Sequence, residues 1–229
     1  MTYGIICAMD EELAILKDAL TGEETKHYGD ADYYLGSIHG QQLVIVKSGI
    51  GKVQAGITTS NLINKFHVDA VINSGSAGGI GDGLSVGDIV VSTETAYHDV
   101  DVTTSGYKMG QLPGFPARFP ASKELADKIV DAAKDSGVTA HKGLIVSGDQ
   151  FIADSKKIAE IKHNFPDALC SEMEGAAVGQ VAYQNKVPYA VIRAMSDVGD
   201  EEAEISFDKF IITAGKKSGQ MLIDLFKNA

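Results

Sequence analysis

The sequence predicts an α/β protein, a mixed twisted sheet flanked by helices, and three observations carry that reading. Short runs rich in β-branched residues, bounded by glycine or polar residues, recur along the chain as strands do. Between them lie segments whose apolar residues recur three or four positions apart, the spacing of a helix with one buried face. The early strands are close enough for antiparallel hairpins, whereas later ones are separated by helices, so the sheet mixes both pairings.

Taken in order, residues 2–7 (Thr2-Tyr3-Gly4-Ile5-Ile6-Cys7) read as a first strand. The segment has no basic region before it and turns acidic at Asp10-Glu11-Glu12, so it is not expected to be a secretion signal. Leu13, Leu16 and Leu20 predict a helix over 11–20. Strands over 33–38 and 42–47 pair across His39-Gly40-Gln41, and a helix over 52–64 leads to strands at 70–74 and 88–93. Residues 97–121 hold few helix formers and three of the five prolines, which predicts a long loop of the kind that is functional or interfacial. Ser122 is placed to cap a helix over 123–135 that carries Leu125, Ile129, Ala132 and Ala133, with Gly137 at its end. A strand over 142–147, helices over 155–163 and 175–185, a strand over 188–195 and a helix over 207–227 capped by Ser206 complete the series.

The 229 residues suffice for one core, and no linker-like stretch divides them, so one domain over 1–229 is expected. The formal charge is −11, and Arg118 and Arg193 are the only arginines. No basic stripe is available to neutralise phosphates, which argues against nucleic acid and anionic membranes as partners. Cys7 and Cys170 lie in apolar runs outside any CxxC pair and read as buried free thiols of a reducing compartment, hence a cytoplasmic protein. No run reaches the roughly eighteen apolar residues of a membrane helix.

Several binding motifs fail on inspection. Ser48-Gly49-Ile50-Gly51-Lys52-Val53 resembles a phosphate loop, but that pattern needs glycine where Val46 stands and a hydroxyl where Val53 stands. The glycines of residues 75–83 do not give the G-x-G-x-x-G spacing, so no nicotinamide or flavin cofactor is indicated; a plain turn and a ligand cradle remain equally open there. The six histidines show no metal-binding spacing, and no metal is expected.

Chemistry is concentrated in two places. Ser171-Glu172-Met173-Glu174-Gly175-Ala176-Ala177 sets two carboxylates in small, apolar sequence, where an unpaired charge costs several kcal/mol, roughly, unless it has a partner or a task. Val191-Ile192-Arg193-Ala194-Met195-Ser196-Asp197 runs from a buried strand directly into an acid, and strand ends are where α/β enzymes place reacting groups. Taken singly, each has a structural explanation: Glu12 as a carboxylate on a helix dipole, Glu174 as a cap, Arg193 with Asp197 as an ion pair, Phe151 and Phe207 as core or staple aromatics.

Together with Ala8-Met9-Asp10-Glu11-Glu12, Ser48-Gly49-Ile50-Gly51-Lys52, Ser74-Gly75-Ser76-Ala77-Gly78-Gly79 and Ser147-Gly148-Asp149-Gln150-Phe151-Ile152, these patches resemble the bacterial 5′-methylthioadenosine/S-adenosylhomocysteine nucleosidases over essentially the whole chain. The resemblance implies a nucleoside phosphorylase-like three-layer fold, a homodimer and no metal or organic cofactor. It also implies hydrolysis of 5′-substituted adenosines in methionine salvage and the recycling of S-adenosylmethionine by-products. Carried over by position, it makes Asp197 the acid at purine N7 with Ser196 orienting it, and Glu12 the base for the attacking water with Ser76 and Arg193 nearby. Glu174 and the Met173 backbone would hold the ribose hydroxyls, with Glu172 in support, and Gly78 would let the main chain approach the nucleoside. Phe151 would stack on adenine and the Ile152 backbone read its edge. Met9, Ile50 and Phe207 would wall the 5′ pocket, to which a second subunit would add Val102, Tyr107 and Pro113. Ser105 stands where an aromatic is common in that family, which leaves the preferred 5′ substituent open.

The resemblance leaves two rivals to weigh. A purine nucleoside phosphorylase would need cationic clamps on phosphate, and this chain has few arginines and an acid at Glu12. A non-catalytic nucleoside-binding protein would have no use for both an acid and a base.

Overall fold

The computed structural model describes the backbone of residues 1–197 and 203–227, and their side chains except for 203–209, 211 and 212. The chain runs β1 (Thr2–Cys7), α1 (Asp10–Asp18), β2 (Thr21–Tyr28), β3 (Ala31–Ile38), β4 (Gln41–Lys47), α2 (Lys52–Asn64), β5 (Ala70–Gly79) and β6 (Ile89–Tyr97). A 3₁₀ turn (Thr103–Ser105) and β7 (Phe119–Pro120) interrupt the long loop. Then come α3 (Lys123–Asp135), β8 (Ala140–Ser147), α4 (Ser155–Asn164), β9 (Ala168–Glu172), α5 (Gly175–Asn185), β10 (Tyr189–Asp197) and α6 (Ala203–Lys227).

Among the described residues the strands form one mixed sheet in the order β10-β6-β8-β9-β5-β1-β4-β3-β2, with β7 on β6. The parallel pairs include β1 with β4 and β5, and the expected hairpin is β3 with β4, from Tyr33↔Val46 to Ile38↔Gln41. A further pairing of β10 with β5 closes β5, β9, β8, β6 and β10 into a ring. The expected sheet is therefore present, and at one end it curls onto itself.

Side-chain alternation sorts the strands into two apolar faces. Ile5, Ile45, Ile72 and Ile192 pack with α1, α3 and α6, while Ile6, Val46, Val71 and Val191 pack with α2 and α5. Burying each of these side chains contributes about 1.5–3 kcal/mol, so the helices are held by their apolar faces. A third cluster around Leu144, Val146 and Phe165 seats α4 against the curled end. Ser122 caps α3 as expected, its Oγ accepting from Leu125 N at 3.3 Å.

Differences from the sequence reading have local causes. β2 was not anticipated because all eight of its residues are exposed and show no alternation. β9 (Ala-Leu-Cys-Ser-Glu) is too short and mixed to signal a strand. β5 runs on to Gly79 instead of ending at 74, so the glycines of residues 75–79 continue a strand. β6 likewise runs to Tyr97, and α6 begins at Ala203, which places Ser206 inside the helix and not at its cap.

Candidate active site

The carboxyl ends of β1, β4, β5, β8, β9 and β10 converge on one cavity of about 360 Å³. It is lined by Met9, Glu12, Ile50, Ser76, Gly78, Phe151, Ile152, Glu172, Met173, Glu174, Ser196 and Asp197, together with Ala8, Ala77, Gln150 and Ser171. Arg193 lies behind this wall, 1% exposed. Val102, Tyr107 and Pro113 are not among the lining residues of their own chain; they lie on the loop around the 3₁₀ turn. The side chain of Phe207 is outside the described residues.

Glu12 reaches the cavity because α1 starts immediately after β1. Asp10 and Glu11 of the same turn face solvent, while Glu12 is 3% exposed. Its Oε2 accepts from Ala8 N at 2.9 Å and Met9 N at 3.2 Å, so it also caps the helix. Oε1 accepts from the Ser76 backbone N–H and hydroxyl, each at 3.1 Å. Burial pushes this carboxyl above its ordinary pKa, against the pull of Arg193 and the N–H groups of Ser76, Ala8 and Met9. A carboxylate whose pKa is raised in this way is a stronger base than an ordinary glutamate.

Glu172 and Glu174 divide two tasks. Glu172 receives the Ser147 hydroxyl, the Arg193 guanidinium and the backbone N–H groups of Glu174 and Gly175, so it is the residue that caps α5. Glu174 is left to face the cavity, its Oε1 accepting from Gly51 N at 2.9 Å and its Oε2 3.3 Å from Arg193 Nη2. Burial, followed by the charge of Glu172, pushes the Glu174 carboxyl up to about 7. Arg193 also donates to Asn73 Oδ1 at 2.6 Å. Burial works against its charge, yet Glu172, Glu174 and Glu12 together hold it protonated more firmly than usual.

Asp197 is delivered by an irregularity. β10 pairs with β5 in register through Met195↔Ala77, then shifts so that Asp197 meets Gly78, leaving Ser196 as the extra residue of a bulge. The Ser196 hydroxyl lies 2.9 Å from Asp197 Oδ2 and 3.3 Å from the Ala77 carbonyl. It can donate to either oxygen, so it accommodates both protonation states of the carboxyl. A Cβ at Gly78 would fall 2.9 Å from Asp197 Oδ1, and one at Gly75 would fall 2.6 Å from Arg193 Nη1 and 2.9 Å from Glu12 Oε1. Glycine at these two positions makes room for the charged groups. Glu12 meets β5 at Gly75 and Ser76 and Asp197 meets it at Gly78, which separates the contacts by about 7–10 Å along the strand.

The sequence reading assigned no role to Asn73, Ser147, Gly75 or the Gly51 N–H, although Ser147, Gly75 and Gly51 stand within the motifs quoted above. Asn73 and Ser147 did carry a signal, a polar residue inside an otherwise apolar strand run; the roles of Gly51 and Gly75 depend on three-dimensional contacts alone. Among the described residues, no group of three or more His, Cys, Asp or Glu is arranged to hold a metal ion, and no helix is long and apolar enough to cross a membrane.

The phosphorylase superfamily model matches residues 2–227. A 5′-methylthioadenosine/S-adenosylhomocysteine nucleosidase from Neisseria meningitidis, solved with methylthio-immucillin-A, is 44% identical, covers 100% of this chain and 99% of its own, and superposes with a TM-score of 0.97. This chain belongs to that nucleosidase family. The Streptococcus pneumoniae nucleosidase bound to a transition-state inhibitor is also 44% identical over 99% of both chains, with a TM-score of 0.95. The Colwellia psychrerythraea nucleosidase in complex with adenine is 42% identical over 99% of this chain and 94% of its own, with a TM-score of 0.96. The three-layer nucleosidase architecture expected from the sequence is thus the one observed.

Proposed function

We propose that this protein hydrolyses the N-glycosidic bond of 5′-methylthioadenosine and S-adenosylhomocysteine, and of 5′-deoxyadenosine, to adenine and the 5′-substituted ribose. The observation that carries the reading is the entry of two buried carboxyl groups, Glu12 and Asp197, at separate points of one nucleoside-sized cavity. Cleavage leaves positive charge on the sugar and negative charge on the purine, so it calls for an acid at the base and an activated water at the sugar.

In this reading Asp197 protonates purine N7, oriented by Ser196. Asp197 is 2% exposed at the strand end, and burial there disfavours the charged form of a carboxyl group. Glu12, fixed by Ser76 and by the Ala8 and Met9 amides, positions the water and takes its proton. Glu174 and the Met173 backbone grip the ribose hydroxyls, a contact that strengthens as charge develops on the sugar. Glu172 keeps Arg193 and α5 in place. Phe151 stacks on the adenine, the Ile152 backbone reads its edge, and Met9, Ile50 and Phe207 wall the 5′ substituent.

Water is favoured over phosphate as the nucleophile on electrostatic grounds. No lysine or arginine is among the described residues lining the cavity, and Arg193 behind it already serves Glu172, Glu174 and Asn73. A phosphate would meet the Glu12 carboxylate without a cationic clamp.

The 5′ end is completed by a partner subunit of a cytoplasmic homodimer, through Val102, Tyr107 and Pro113. Support comes from Val53 and Ile57, exposed by 71% and 50% and four residues apart on one side of α2, and from Ile50, 54% exposed in the turn just before it. This apolar stripe flanks a groove between α2, α5 and the long loop. The products suit methionine salvage and the recycling of S-adenosylmethionine by-products.

The test is adenine release from a panel of 5′-substituted adenosines in phosphate-free buffer. Release at full rate is expected, and a strict requirement for phosphate would overturn hydrolysis. Asp197→Asn and Glu12→Gln should each fold and each lose on the order of 10²–10⁴ in turnover. Wild-type turnover in either variant removes that residue from its role.

A further inference from the structure

Lys52, which in sequence stands where a phosphate loop would carry its lysine, spends its charge on carboxylates. Its Nζ lies 2.6 Å from Asp99 Oδ2 and 3.8 Å from Asp149 Oδ2, and its backbone N–H donates to Asp149 Oδ1 at 2.8 Å. Asp149 N in turn donates to Asp99 Oδ2 at 2.9 Å. The Lys52 and Asp99 side chains are only 22% and 14% exposed, so solvent screens their attraction weakly. Burial works against the Asp99 charge, but the Lys52 ammonium and the Asp149 N–H outweigh it and hold this carboxyl below its ordinary pKa.

Three segments meet in this cluster. The turn at residues 48–52 delivers Ile50 to the cavity and the Gly51 N–H to Glu174. The loop at residues 148–152 delivers Gln150, Phe151 and Ile152. Asp99 opens the long loop immediately after β6. Gly51 adopts φ +101°, a conformation that favours glycine, and a Cβ there would fall 3.1 Å from Asp149 Oδ1. A turn built on such glycines has little stiffness of its own, so its direction is set by what it is tied to.

We propose that Lys52 is a positioning residue for the glycosidic reaction, acting through Glu174: shared between Asp99 and Asp149, it anchors the turn at residues 48–52 on the loop at residues 148–152, so that the Gly51 N–H holds Glu174 in its ribose-gripping orientation. This rests on the assignment of Glu174 to the ribose hydroxyls. The consequence is a fixed spacing between the grip on the sugar and the wall that receives the base, and a misplacement of about 1 Å between them costs roughly 10²-fold in rate.

The experiment is a double-mutant cycle on kcat/KM for 5′-methylthioadenosine. Lys52→Met keeps the aliphatic stem and removes the charge; it should lower kcat/KM about 10- to 100-fold in the wild-type background. In the Glu174→Gln background the same substitution should cost no more than about 2-fold, because the residue it acts through no longer functions. Lys52→Arg should recover most of the loss, and the affinity for free adenine, which does not extend to Glu174, should move by no more than about 2-fold in Lys52→Met. An equal loss in both backgrounds, an unchanged kcat/KM in Lys52→Met, or an equal weakening of adenine overturns the proposal. Should Lys52→Met fail to fold, Asp99→Asn, which still accepts from Asp149 N, goes through the same cycle with the same criteria. Wild-type activity in Glu174→Gln alone would overturn the ribose assignment itself and this proposal with it, a result distinct from additivity.

Discussion

Glu172 and Glu174 stand two residues apart in one small-residue stretch and have opposite fates. One is consumed by backbone amides and a guanidinium; the other, pushed up to about 7 by burial and by its neighbour's charge, is left facing the cavity. The pH dependence follows from the sign of that shift. Between the ordinary value of 4.5 and about 7 the folded state keeps a proton on Glu174 that the unfolded chain has lost, so stability falls as pH rises through this window. Glu174→Gln should remove up to about 3 kcal/mol of that pH dependence, measured by urea unfolding of the ligand-free protein at pH 4.5 and pH 8. Equal slopes in the two proteins would show that the carboxyl is not the titrating group. From the sequence, two costly acids at this place were visible, and so was their need for a partner or a task. Which one capped α5 was not visible, because an offset of two residues changes the direction of a side chain at a strand-to-helix junction and nothing in residue type records it.

At the scale of elements, the site depends on a single irregular pairing, β10 on β5. The shift that sets Asp197 against Gly78 turns the acid into the cavity, and the missing side chain at 78 leaves space for it. Gly78→Ala should fold with a loss of about 1–3 kcal/mol, measured by thermal melting, because the added methyl must displace a carboxylate. Adenine release should fall by about 10²-fold as Asp197 is moved; turnover at the wild-type level would mean that the acid tolerates displacement. The strands that alternate or carry continuous apolar runs, such as β1, β4 and β10, were legible in the sequence because burial writes a period into them. β2 has all eight residues in solvent, and the glycines of β5 read as punctuation, so the ends of strands nearest the chemistry were the least legible. The reason is physical: positions that must admit a ligand or a neighbouring charge are those where ordinary packing patterns are relaxed.

At the scale of the whole molecule, Val53 and Ile57 of α2 offer solvent an apolar surface, the one proposed to seat a second copy whose Val102, Tyr107 and Pro113 would wall the 5′ pocket. Val53→Asp together with Ile57→Asp should therefore turn a particle with the mass of two chains into one with the mass of a single chain by light scattering, and lower kcat/KM for 5′-methylthioadenosine more than that for 5′-deoxyadenosine. A wild-type protein already of single-chain mass would remove the partner from the site. The sheet itself is unequal from end to end. Among the described residues β5, β9, β8, β6 and β10 close into a ring, whereas β2 ends the other side with an unpaired rim and all eight of its residues exposed. The protein's tolerance for change is consequently lodged at one pole: a foreign peptide or new chain termini introduced at the β2–β3 turn would burden only the open rim, while the closed ring, with no seam to part, keeps the reacting groups in place.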